Sequence, residues 1–301
     1  MFMSRIHIGL LLLLSTLWGA SFLFVGVAIQ EIAPLHLVFL RVAIAAPVML
    51  VLLRMNGVSL PSGLKAWSPF LIMGLLNNVI PFTAIFYAQT EISVSLTAIV
   101  ISTTPIFTFV ILALFGVEKL VKNKLTGAVI GALGVVILLD PRSFSFDTTT
   151  FGVVLNMCAA ISYAFAALWA KRRLLGVPPL QAASYQIIAS TMILLTIMPF
   201  TLSELPDALP SISTLLSVMA LAFLSTALGY LIFFRLITET GPSNAVLTTL
   251  LVPVSASFLG WLIMDDVLSL HQFIGAATIA IALLIIDGRL AKKLKTILIA
   301  R

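Results

Sequence analysis

The chain has 301 residues, of which 61% are hydrophobic and 9% charged, with a mean hydropathy of +1.19. Soluble domains average about 45–50% apolar and about 25% charged residues, so this composition leaves too little polar surface for a water-soluble fold and requires lipid as the main solvent. The net charge of +6 would suggest nucleic acid on a soluble protein, but the basic residues fall in short connections and a C-terminal tail, which points to membrane topology and not to nucleic acid.

The first apolar run covers residues 6–29 and follows Arg5, so its start could pass for a signal peptide. It continues through Trp18, Phe22 and Phe24 to Ile29, beyond the roughly 20 residues that cross a hydrocarbon core, which predicts a retained first helix. Nine further runs follow at 35–53, 68–88, 92–115, 124–139, 151–170, 180–200, 212–236, 243–264 and 270–287. A lipid-facing backbone must bond within its own segment, which favours helices. The alternating ten-residue segments of a β-barrel do not occur. Breakers mark the connections, among them Pro34, Pro61 with Gly63, Pro141, Pro178–Pro179, Pro206 and Pro210, and Gly241–Pro242. Cys158 is the one cysteine and cannot form an internal disulfide.

Lys and Arg fix the orientation, because cytoplasmic loops carry them in excess. With the N-terminus inside and strict alternation, every one of the 17 basic residues except Arg41 and Arg142 falls on the inner side. Both termini are then cytoplasmic. Glu31, Glu91, Asp140, Asp147, Glu204, Asp207, Asp265 and Asp266 fall outside.

The two halves of the chain resemble each other. Trp18, Pro34 and Arg41 align with Tyr163, Pro179 and Gln186 at an offset of 145 residues. Asn78, Phe82, Pro105, Glu118 and Gly127 align with Thr226, Tyr230, Pro253, Asp266 and Gly275 at an offset of 148. Five helices is an odd number, so the second half enters the membrane from the opposite side. The expectation is an all-α membrane protein of ten transmembrane helices in two inverted five-helix repeats around a central cavity. The repeats span 1–140 and 148–290, with a basic cytoplasmic tail at 291–301. Inverted repeats are a common carrier design, with the site near the midplane.

STLWGASFLFVG at 15–26, PLHLVFLR at 34–41, TPIFTFVILALFGVEKL at 104–120 and LTGAVIGALGVVILL at 125–139 are informative stretches. So is LLVPVSASFLGWLIMDDVLSLHQFIGAATIAIALLI at 250–285. On these stretches the chain resembles the drug/metabolite transporter superfamily, in its ten-helix class with two EamA-type domains. The resemblance covers about residues 8–287 and implies two inverted five-helix bundles enclosing a central cavity.

Several polar and aromatic residues lie inside the apolar runs and are candidate substrate contacts. Arg41 is a charge placed about seven residues into a helix, so it faces a polar cavity, a partner or the interface; it either meets a substrate group or snorkels toward Glu31 or Glu91. Asn77 and Asn78 face protein or water, as membrane amides do. Asn78 and Phe82 share a helix face, as do Thr226 and Tyr230, so the four suggest opposite walls of one cavity; plain helix–helix hydrogen bonding is the alternative. Trp18, Tyr163 and Gln186 are further expected cavity residues. Asn244, Thr248 and Ser255 form a polar stripe on the ninth helix. Pro105 and Pro253 are candidate hinges, or ordinary kinks whose freed carbonyls neighbouring hydroxyls satisfy. Gly127, Gly131 and Gly134, with Ala128 and Ala132, form a small-residue packing face within the chain or between protomers.

The missing residues narrow the function. No carboxylate sits at the centre of a run, as a proton-driven cation pump would need. The ninth and tenth runs hold no Lys or Arg for a phosphorylated dianion. The expected function is therefore a secondary-type carrier, an exporter of small neutral or zwitterionic metabolites such as amino acids, in the cell inner membrane. Its partners are a small-molecule substrate and the lipid bilayer, and both a monomer and a homodimer stay open. His7, His36 and His271 lie near run ends and no HExxH motif occurs, so neither a metal, a cofactor nor an intramembrane enzyme is expected. A channel or sensor is the alternative.

Overall fold

The computed structural model describes residues 4–119, 122–138, 148–206, 208–240 and 247–287. These residues are helical, with no strand among them. In chain order the helices are α1 (Arg5–Ala28), α2 (Pro34–Met55), α3 (Leu64–Ala88), α4 (Val94–Leu114) and α5 (Lys122–Leu138). They continue as α6 (Thr148–Arg173), α7 (Pro179–Ile197), α8 (Ile212–Ala220, Leu221–Leu228 and Gly229–Thr240 in continuous succession), α9 (Leu247–Met264) and α10 (Leu270–Asp287). Among the described residues, seven helices are long and apolar enough to cross a membrane: α1 to α4 and α6 to α8; Leu251–Met264 and Leu270–Ile285 are shorter apolar stretches. The protein is a multi-pass membrane protein by this measure.

Local chemistry explains the ends. The Ser4, Ser93 and Ser211 hydroxyls accept from the backbone N–H three residues on, starting α1, α4 and α8. Pro34 and Pro179 occupy first-turn positions, where the missing N–H costs nothing. Gly57 and Gly116 take positive φ after α2 and α4. The following amides then return to the helix, Val58 N–H to Leu53 O at 2.9 Å and Val117 N–H to Leu112 O at 2.8 Å, which closes both helix ends.

Three interruptions inside apolar runs are invisible to hydropathy. α3 and α8 each contain a π-helical segment, Leu75–Val79 and Leu221–Leu228. α4 breaks at Ser102–Thr103, just before Pro105. The ring cannot donate to Ile101 O, and the Thr104 hydroxyl donates to that carbonyl instead, at 2.7 Å. Pro253 differs, because α9 runs through it without a break.

The main packing joins helices from residues 5–138 to helices from 148–287. α1 lies against α8 and α9, α2 against α7 and α8, α3 against α6 and α7, α4 against α6 and α9, and α5 against α10. The central apolar cluster draws on both sets, with Phe22, Val38, Val42, Phe82, Phe86 and Ala98 meeting Ala159, Ile187, Leu194, Leu221 and Ala256. A second cluster joins α4, α5 and α10. The small-residue face of α5 is used within the chain: a Cβ on Gly134 would stand 3.0 Å from Ile279 N and 3.1 Å from Gly275 O of α10.

Candidate functional site

α2, α3, α6 and α8 bring Arg41, Phe82, Tyr163, Thr226 and Tyr230 together at the middle of the bundle. Arg41 is 8% exposed. Its Nε donates to Thr226 Oγ1 at 3.0 Å, and its guanidinium carbon lies 3.8 Å from the centroid of the Phe82 ring. A guanidinium over an aromatic face gains cation–π attraction, more so when desolvated. Tyr163 and Tyr230 pack against the same apolar cluster as Phe82. Thr226 is fully buried and donates in turn to Leu221 O at 2.9 Å, five residues back, a reach that the wider π turn allows. Among the described residues no carboxylate pairs with Arg41; the ion pairs there are His7–Glu239, Lys124–Glu118, Lys171–Glu118 and Arg235–Glu239.

The other amides of the sequence reading meet each other across α3 and α7. Asn77 Nδ2 donates to Gln186 Oε1 at 3.1 Å, and Asn78 Nδ2 donates to Ser190 Oγ at 2.9 Å. Ser190 is fully buried and donates to Gln186 O at 2.6 Å. Gly74 permits this approach, since a Cβ there would come within 2.9 Å of the Gln186 carbonyl oxygen. Asn78 is also fully buried, and its Oδ1 has no partner.

Trp18 is fixed from α1. Its Nε1 donates to Ser225 O at 3.1 Å, and its ring stands 5.2 Å from that of Phe233. The Ser225 hydroxyl donates back to Leu17 O at 2.9 Å. On α6, the Ser162 hydroxyl donates to Leu76 O at 2.7 Å. Each π segment, which strains the ordinary helical ladder, thus has a carbonyl satisfied by a neighbouring helix.

The structure groups these candidates differently. Arg41, Phe82 and Thr226 form one contact centre with Tyr163 and Tyr230 at its edge. Asn77, Asn78 and Gln186 form a helix interface beside it. Thr248 is fully buried with an unpartnered hydroxyl. Asn244 lies outside the described residues. Ser255 is turned to α1 and donates to Ser15 O at 2.8 Å. Ser190, Ser225 and Phe233 were missed by sequence reasoning. Ser190 sits four residues after Gln186 on the same helix face, a signal that could have found it. Ser225 acts through its carbonyl, which residue identity does not announce.

A cavity of about 630 Å³ lies between α2, α8 and the connection after α7. Ile32, Phe39, Leu40, Met198, Leu215 and Met219 line it, with His36 as its titratable member. This apolar pocket is not built for a polar metabolite. The groups at the Arg41 centre offer recognition instead: a fixed cation with unused donors, hydroxyls and aromatic walls. Among the described residues no cluster of His, Cys, Asp or Glu could hold a metal ion.

The profile of the EamA-like transporter family matches residues 5–140 and again 150–287. YoaV of Bacillus subtilis (strain 168), an uncharacterized transporter, is 24% identical over 264 residues, 87% of this chain and 90% of that protein. YedA of Escherichia coli (strain K12), an uncharacterized inner membrane transporter, is 26% identical over 279 residues, 92% and 89%. PecM of Dickeya dadantii (strain 3937) is 26% identical over 272 residues, 90% and 88%. A crystal structure described only as that of a protein superposes with a TM-score of 0.66 at 20% identity, covering 95% of this chain and 97% of that one, a likeness of fold.

Proposed function

The chain belongs to the EamA-like transporter family, and from that premise we propose that it is a secondary-type carrier that exports a small metabolite by alternating access. The substrate site is the Arg41, Phe82, Tyr163, Thr226 and Tyr230 centre, extended by Trp18 and by the Asn77, Asn78 and Gln186 interface. The protein crosses the membrane ten times as two inverted five-helix repeats, with both termini in the cytoplasm and an inner-membrane location.

One observation carries this reading. Arg41 and Gln186 are equivalent under the repeat, and so are Asn78 and Thr226. Arg41 of the first half bonds Thr226 of the second, while Gln186 of the second bonds the Asn77–Asn78 pair of the first. The two π segments fall at equivalent positions as well. Such crossed pairing is what a two-fold axis in the membrane plane produces, with the site on the axis. The separate family matches to 5–140 and 150–287 point the same way. Rocking one half against the other must break or remake these contacts, so substrate bound among them is coupled to the motion.

Counterflow in liposomes holding the pure protein tests the site. Trp18→Ala and Tyr230→Ala are expected to insert and fold but to exchange substrate at least tenfold more slowly. Wild-type exchange by both variants across a range of substrate concentrations would remove the site from this centre.

A further inference from the structure

We propose that the group this site receives is a single carboxylate, delivered to Arg41, and that the substrate is a monoanion with an aromatic or apolar body. The proposal rests on the carrier reading above and replaces the neutral or zwitterionic substrate class expected from the sequence.

Arginine keeps its charge in proteins, so Arg41 is a permanent cation. It is 8% exposed at the core of the bundle, and among the described residues no carboxylate balances it. A charge at membrane depth is expensive, and such residues are paired or mark a substrate pathway. The Thr226 hydroxyl and the Phe82 face supply partial compensation, but neither carries negative charge. The missing charge is therefore the ligand's.

The geometry selects its form. Thr226 occupies Nε, and Phe82 covers one face of the guanidinium plane. The two Nη groups remain, and these present a fork whose spacing matches the two oxygens of a carboxylate. Among the described residues Arg41 is the only cation of the centre, which suits a monoanion better than a dianionic phosphate. An ammonium on the ligand would find no carboxylate there and would feel the guanidinium's like charge. Phe82, with Trp18, Tyr163 and Tyr230 packed against the same apolar cluster, supplies aromatic surfaces that stabilise an apolar body through burial.

The test uses four probes of one skeleton with the full-length pure protein: 3-phenylpropanoate, phenylalanine, methyl 3-phenylpropanoate and 2-phenylethylamine. Thermal stabilisation and counterflow are measured for each. The expected result is that 3-phenylpropanoate is bound and exchanged at least tenfold better than the other three. Arg41→Gln should lose that binding at least tenfold, and the empty variant should melt no lower than the wild type, because a buried unbalanced charge has been removed. Arg41→Lys should recover part of the affinity without the fork. Should the ester or the amine bind as well as the acid, or Arg41→Gln keep the acid's affinity, the carboxylate assignment falls while exchange of those probes preserves the carrier reading. Should the protein exchange none of the four, both fall for this substrate class. The probe series in the wild type decides the matter even where a variant fails to fold.

Discussion

Asp266 lies in the connection between α9 and α10, yet its carboxylate stabilises the start of α4. Its Oδ2 accepts from Ser95 N–H at 2.9 Å and from the Ser95 hydroxyl at 2.8 Å. Ser95 is in the first turn of α4, where backbone N–H groups lack helical partners and negative charge is favoured. Replacing Asp266 by Ala is expected to destabilise the protein by about 1–2 kcal/mol, as cap losses do, seen as a lower melting temperature. Gly260→Ala should act in the same direction, since its Cβ would stand 2.6 Å from both Asp266 Oδ2 and Ser95 Oγ. Glu118, in the connection after α4, behaves differently. Hydrogen bonds from Lys124 and Lys171 hold its carboxyl below the usual value near 4.5. A depressed carboxylate contributes its stability at and above the unfolded value and loses it as the pH falls from there through the folded value. These groups are partly exposed, so the contribution is at most about 1 kcal/mol. Glu118→Gln should lower stability slightly at pH 7 and flatten the decline below pH 4.5, measured as melting temperature against pH; an unchanged slope would show the pairs to be inert.

At the scale of helices, the π segments decide where the site residues point. Leu75–Val79 precedes Phe82 on α3, and one extra residue per turn rotates everything after it. Deleting one residue from that segment should restore the α-helical pitch and swing Phe82 by about 100°, away from the Arg41 guanidinium 3.8 Å from its ring. The expected outcome is a protein that reaches the membrane but exchanges no substrate; retained counterflow would mean that the Phe82–Arg41 contact is dispensable. This rotation also marks the limit of what the residues disclosed in advance. Apolar length placed the helices well: α1 was expected at 6–29 and occupies Arg5–Ala28, and α10 was expected at 270–287 and occupies Leu270–Asp287. That is because hydrocarbon thickness sets a length that any apolar run must meet. That Arg41 and Thr226 need a partner was legible, because charged and hydroxyl groups inside such runs do; Phe82 entered only through the helix face that it shares with Asn78. Which partner each one takes was not legible. Arg41 turned from Glu31 and Glu91 to Thr226 and Phe82, and Glu31 instead accepts from Ser211. The π turns that steer those choices leave no trace in hydropathy.

For the whole molecule, polar ties between the two halves occur at both ends of the bundle. Glu31 meets Ser211 and Asp266 meets Ser95 near one end, while His7 meets Glu239 and Lys171 meets Glu118 near the other. Each pair joins residues 1–140 to residues 148–287. In the proposed inverted repeat, rocking about the centre loosens one set while keeping the other, so the set that loosens lies on the side of the membrane that opens. The charge bias of the connections puts Glu31 and Asp266 outside and Glu118 with Lys171 inside. That assignment predicts an outer position for residues 143–148. In a Cys158→Ala background, single cysteines placed there should react with a membrane-impermeant maleimide in intact cells, and a cysteine at Lys171 should react only after lysis. The reverse pattern would invert the molecule and place the Asp266 and Glu31 ties on the cytoplasmic face.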